Sequence, residues 1–225
     1  YMALLNLTLG FIIPVILGLL ISQVRNKRRS RVVQTITYMP YFVAPVVVCT
    51  LAKEFLKEGG AITMFLTMFG LPNQNWLAVN SPVFWFINCF LGIWQGAGYG
   101  AIVYIAAING IDQNLYEAAC IDGASRWQRL WNITIPSIVP LVVMMFTMQI
   151  GLVFMTGFDK VLLLYMPTTY EFSDCLSTYT YRMAFSSGND FSLSTASGLL
   201  QSIIGTLLLI FGNKMSEKAT KMSLF

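Results

Sequence analysis

The stretch YEAACIDGASRWQRL, residues 116–130, places Glu117, Asp122, Arg126 and Arg129 within four helical turns of one another. Carboxylates so grouped can bind a partner or, with a base poised near neutrality, move protons. The chain has no histidine, which removes the commonest general base and metal ligand. A second set, Asp159, Glu171, Asp174 and Asp190, is isolated in one polar segment that equally suits a solvated connector. No Ser/His/Asp or paired-carboxylate site can be assembled from either group, so no catalytic residue is assigned. Cys49, Cys89, Cys120 and Cys175 are scattered without a CxxC, which suggests neither a disulfide framework nor a metal site. No GxxxxGK[ST] occurs, so any nucleotide must be hydrolysed by another subunit, and no cofactor is expected on this chain.

The elements that must position these residues are membrane spans. The 225 residues are 56% hydrophobic and only 11% charged, well outside the balance of soluble domains. Residues 1–24, 32–52, 59–111, 130–158 and 191–213 contain no Asp, Glu, Lys or Arg. About 20 apolar residues cross a bilayer as a helix, which places spans at 3–23, 34–54, 83–107, 136–157 and 195–212. The expected fold class is therefore all-α, a polytopic transmembrane bundle forming a single domain over 1–225. The nine-residue AITMFLTMF, followed by GLPNQNW, reads as an interfacial helix and loop, and Trp76 and Trp85 as members of an aromatic belt. Tyr1 follows no basic region or cleavage site, so the first tract reads as a span and not a signal peptide.

Positive charge sets the orientation, since Lys and Arg near span ends stay cytoplasmic. Five lie in VRNKRRSR, and Arg126, Arg129, Lys214, Lys218 and Lys221 fall on the same side under the five-span count. The other side receives only Lys53, Lys57, Lys160 and Arg182. A sixth span at 61–69 would spoil this asymmetry. Tyr1 is then outside, Phe225 inside, the loop 108–135 cytoplasmic and the loop 158–194 external. The net charge of +4 is thus a topology signal and implies no nucleic acid partner. No span carries a charge near its centre, where it costs about 2.5–3.5 kcal/mol and commonly marks an ion pathway, which argues against a proton-coupled transporter. Pro14, Pro40, Pro45 and GIWQGAGYGA at 92–101 suit close helix packing.

Within the cytoplasmic loop, Asp112 can cap a helix over 115–121, with Glu117 in its early turns and Asp122-Gly123 ending it. A second short helix from Ser125 carries Trp127, Leu130 and Trp131 at i, i+3 and i+4. Thr134, Ile135 and Pro136 then open the next span. Two uses remain open on chemistry alone: an amphipathic loop lying on lipid headgroups, or a two-helix knuckle that docks a cytoplasmic protein.

Glu117, Ala118, Ala119, Gly123, Ile133 and Pro136 stand at the spacing E-A-A-x3-G-x9-I-x-L-P, with Ile135 in place of the usual Leu. This resembles the EAA motif of the binding-protein-dependent ABC importer permeases. VRNKRRSRVVQTITYMPYFVAPVVV and PTTYEFSDCLSTYTYRMAFSSGNDFSLSTASGLLQSII are similar to the sugar and polysaccharide branch of that family. The resemblance implies a type I ABC importer permease fold in the bacterial cytoplasmic membrane. It also implies six spans in the full protein, the first being absent here. The loop would be the coupling helix, seated on a cytoplasmic ABC ATPase dimer through Glu117, Ala118, Ala119, Asp122, Gly123, Trp127, Leu130, Ile133 and Pro136. ATP and Mg would be used by that ATPase. A second homologous permease would complete the path, and an extracytoplasmic solute-binding protein would deliver a carbohydrate to a docking surface and gate within 159–194. Aromatic and uncharged polar residues suit sugars, and the spans offer Asn88, Trp94, Gln95, Tyr99, Tyr104, Gln149 and Thr156 for the solute path. Permeases for non-sugar solutes share the motif, and an integral membrane enzyme is the alternative from a different class.

Overall fold

A computed structural model of the chain describes residues 1–24, 26–154, 157–185 and 190–220. Among these residues every regular element is helical. Helix α1 (Met2–Ser22) runs beside α5 (Val83–Asn109), and α8 (Ile135–Gly151) runs beside α12 (Phe191–Thr220). Each is apolar over a length that crosses a membrane, α8 by continuing a helical stretch that starts at Arg126. Their outward faces keep large apolar side chains exposed, such as Leu199, Ile203, Leu207 and Phe211 along α12. A spacing of four keeps these residues on one side of the helix, the arrangement lipid requires.

The span expected at 34–54 is not one continuous helix. Helix α2 (Lys27–Tyr38) and a short 3-10 turn at Met39–Phe42 lead to a break at Val43 and Ala44, after which α3 (Pro45–Leu56) sets off anew. The two halves are bent by 88°. Proline explains the break: Pro45 pushes Ala44 to an extended ψ of 137°, and its ring starts the next helix at N1. Four spans stand whole, and counting the bent pair as a passage makes five. Helix α4 (Ala61–Thr67) is the short apolar helix placed at 61–69, with Met64, Phe65, Met68 and Phe69 exposed along it and just beyond. Helix α8 ends at Gly151, six residues short of the expected boundary at 157, with turn residues following.

Close approach holds the bundle together at its bends. A Cβ on Gly98 would collide with the carbonyl oxygen of Thr37, so α5 can touch the end of α2 there only without a side chain. Beside this contact Gln95 Nε2 donates to Val43 O at 2.6 Å, satisfying a carbonyl that the break sets free. At one end of the bundle Cys49, Ala52, Leu77, Phe84, Val161 and Leu164 form the main buried cluster. Trp85 packs on that cluster, stacks on Tyr1 and donates to Phe172 O. It therefore serves as a packing anchor.

Candidate functional site

The loop between α5 and α8 folds through local hydrogen bonds. Asp112 Oδ1 accepts from Asn114 N at 3.0 Å and starts α6 (Gln113–Ile121). At the other end Gly123 takes φ +75°, Ala124 N donates to Ala119 O at 2.9 Å, and Gly123 N donates to Cys120 O at 3.1 Å. This is a Schellman stop, which places glycine where an L side chain is strained. Helix α7 (Arg126–Arg129) opens with a capping box: Ser125 Oγ accepts from Gln128 N, and Gln128 Oε1 accepts from Ser125 N at 2.7 Å. The second helix does not end before Pro136, as the sequence suggested. A π-helical turn at Leu130–Thr134 carries it directly into α8.

Tyr116 and buried Thr134 share a hydrogen bond of 2.9 Å, and Arg129 reaches Cys120 Sγ, so the two arms form a fixed V. Glu117, Ala118, Asp122, Gly123, Trp127 and Pro136 are exposed, whereas Ala119, Leu130 and Ile133 are half-buried. Neither α6 nor α7 buries a single residue. Ile121 is 87%, Trp127 70% and Trp131 63% exposed, an apolar set that water does not favour. A cavity of about 540 Å³ lies behind the V, bordered by Ser22, Asn109, Tyr116, Arg126 and Arg129. It places the ends of α1 and α5 at the same level as the loop's arginines.

A second cavity, of about 380 Å³, lies between α1, α5 and α8. It brings together three of the residues picked for the solute path: Asn88, Tyr104 and Gln149. Gln95 and Tyr41 border an adjoining cavity of about 430 Å³, and Gly96, Gly157 and Lys160 border both. Trp94 and Tyr99 border neither; Trp94 is exposed, and Tyr99 stacks on Tyr41 at 3.9 Å between ring centres. Thr156 lies outside the described residues. Two polar residues lining the first cavity were not picked from the sequence: Asn6 in α1 and Lys160 in α9 (Phe158–Leu164). Burial pushes the Lys160 ammonium below the ordinary lysine range, while Cys49 and Asp159 act the other way.

The segment after α8 is a folded cap. Behind α9 come a turn at Pro167–Thr169, α10 (Tyr170–Ser173) and α11 (Leu176–Phe185). Asp174 is not isolated, contrary to expectation. It takes an ion pair from Arg182 and a hydrogen bond from Thr178 Oγ1, and the Arg182 guanidinium lies 4.3 Å above the Tyr170 ring. The bond to Asp174 holds Arg182 above its ordinary range. Glu171 is also partnered, accepting from Asn80 Nδ2 at 2.8 Å. Gln201 Nε2 donates to Thr180 Oγ1 at 3.1 Å, tying α11 to α12. Among the described residues no group of three or more His, Cys, Asp or Glu could hold a metal.

Residues 11–221 match the family model described as binding-protein-dependent transport system inner membrane component. The chain is 36% identical over 215 residues to the polygalacturonan/rhamnogalacturonan transport system permease protein YteP of Bacillus subtilis, covering 95% of this chain and 66% of that one. It is 30% identical over 204 residues to the sn-glycerol-3-phosphate transport system permease protein UgpA of Yersinia enterocolitica, covering 90% and 66%. The chain thus spans just under two thirds of the length of these relatives. A crystal structure of a bacterial alginate ABC transporter, in complex with an alginate pentasaccharide-bound periplasmic protein, contains a chain that superposes with a TM-score of 0.93. Identity to it is 37%, over 99% of this chain and 77% of that one.

Proposed function

The chain belongs to the family of binding-protein-dependent transport system inner membrane components, and from that premise we propose that it carries an oligosaccharide or polysaccharide fragment through the bacterial cytoplasmic membrane. Members of the family are transport components and not enzymes, so the enzyme alternative falls away. The energy comes from ATP and Mg handled by a cytoplasmic ATPase dimer. A second homologous permease encloses the other half of the path, and an extracytoplasmic binding protein supplies the sugar.

What carries this reading is the V of α6 and α7, whose exposed Ile121, Trp127 and Trp131 are held outward by caps and cross-arm bonds. Apolar residues so presented become stable when a groove covers them. Glu117 stands exposed on the same arm as a polar contact for that groove. When the ATPase subunits close on ATP, they displace the V, and the helix continuing from α7 into α8 moves with it. Asn88 and Gln149 hydrogen-bond the sugar as it passes, beside the Tyr104 ring.

Sugar uptake into proteoliposomes holding the full transporter tests the proposal. Accumulation of a labelled oligosaccharide should require internal ATP and the binding protein. An assembled, ATP-hydrolysing complex that accumulates none would refute it.

A further inference from the structure

We propose that Lys160 and Asn88 form a subsite for an acidic sugar, with the uronate carboxylate paired to Lys160 Nζ and a ring hydroxyl donating to Asn88 Oδ1. The subsite rests on the carbohydrate reading above and narrows it to sugar acids.

Two unmet groups carry the assignment. Lys160 is half-buried beside the cavity and takes part in neither of the two ion pairs among the described residues, Lys57–Glu54 and Arg182–Asp174. Its sequence neighbour Asp159 is exposed and forms no ion pair with it. A buried charge is commonly paired, and here the side chain reaches a cavity instead of a carboxylate. Asn88 is 3% exposed, and its Oδ1 has no hydrogen-bond partner, although its Nδ2 lies 3.9 Å from Met2 Sδ. A buried acceptor left open is an exception to the usual satisfaction of interior polar groups, and a ligand hydroxyl supplies what is missing.

Gly92 and Gly96 line the same cavity as these two groups. A Cβ on Gly92 would lie 3.7 Å from Asn6 Oδ1 and 3.8 Å from Lys160 Nζ, while one on Gly96 would meet nothing within 4 Å. Along that face of α5 a sugar ring can lie against bare backbone between an amide and an ammonium. The cavity of about 380 Å³ is of the size that small-molecule sites occupy. Charge number decides between anions. A single ammonium neutralises a carboxylate, whereas it leaves a phosphate dianion half compensated in a partly buried site.

The test uses the complete transporter in proteoliposomes and two probes: a short oligogalacturonate and the same oligosaccharide after carboxyl reduction. The wild type should favour the acid. Lys160→Gln should lower acid uptake efficiency by about tenfold, the worth of one modest charge interaction, and lower uptake of the reduced probe much less. Lys160→Arg should restore the preference. Removing an unpaired ammonium should leave the melting temperature of Lys160→Gln equal or higher, which separates a binding role from a packing one. Equal loss of both probes, or no change in acid uptake, would overturn the subsite while leaving the carbohydrate reading in place. A wild type that takes up sn-glycerol 3-phosphate and neither oligosaccharide would overturn both.

Discussion

The loop at 110–134 and the cap at 158–185 are each made of short helices, but they bury opposite things. The loop turns Ile121, Trp127 and Trp131 outward and buries no side chain in α6 or α7. The cap turns inward, with Thr169, Ser173 and Thr178 fully buried and hydrogen-bonded and Leu164 beneath them. Local caps and the Tyr116–Thr134 and Arg129–Cys120 bonds hold the loop's shape, and its apolar surface stays exposed. The cap uses its polar groups on itself and on α5 and α12.

Substitutions can break this contrast or sharpen it. Asp174→Ala should cost the most in the isolated permease, about 3 kcal/mol, because it strands Arg182 in a partly buried site. A clear fall in melting temperature in detergent would register it. Gly123→Val should cost about 1–2 kcal/mol, the strain of a left-handed residue, yet abolish ATP-dependent uptake; uptake at the wild-type rate would refute the loop's role. Ser125→Ala removes half of the capping box and should cost about 1 kcal/mol, with a partial loss of ATPase affinity on titration. Trp127→Ala should leave the melting temperature unchanged, since the ring is exposed, and still weaken ATPase binding by about tenfold or more, as for an interface anchor. Asp174→Ala therefore costs stability and Trp127→Ala costs binding, which is the contrast at its two extremes.

The loop was legible in the sequence because its geometry is local. Asp112, the Asp122-Gly123 pair and Ser125 determine caps within a few residues of themselves, and the structure returns each of them. The π turn was not legible, since nothing in LWNIT distinguishes it from an ordinary helical turn. The 88° bend was partly in view through Pro40 and Pro45, but averaging hydropathy over 34–54 conceals a break in direction. Lys160 was read only as a topology charge, and Gly92 and Gly96 only as packing residues. That they share a cavity depends on Asn6, more than eighty residues away in the chain, and on the packing of α9 beside α5. Asp174 was taken as isolated for the same reason, since its partner Arg182 reaches it only once α11 has formed.

The uninterrupted course from α7 through the π turn into α8 has a mechanical consequence. Arg126–Gly151 is one rod of 26 residues, about 40 Å long at 1.5 Å per residue. Its foot carries Trp127, and its head lies against α12, where a Cβ on Gly205 would stand 2.9 Å from the Gly151 carbonyl oxygen. A push at the foot travels toward the head along one continuous helix. The stroke at the head is then set by where the rod pivots, and the wider π turn above the foot, followed by Pro136 and Pro140, is where its stiffness is lowest.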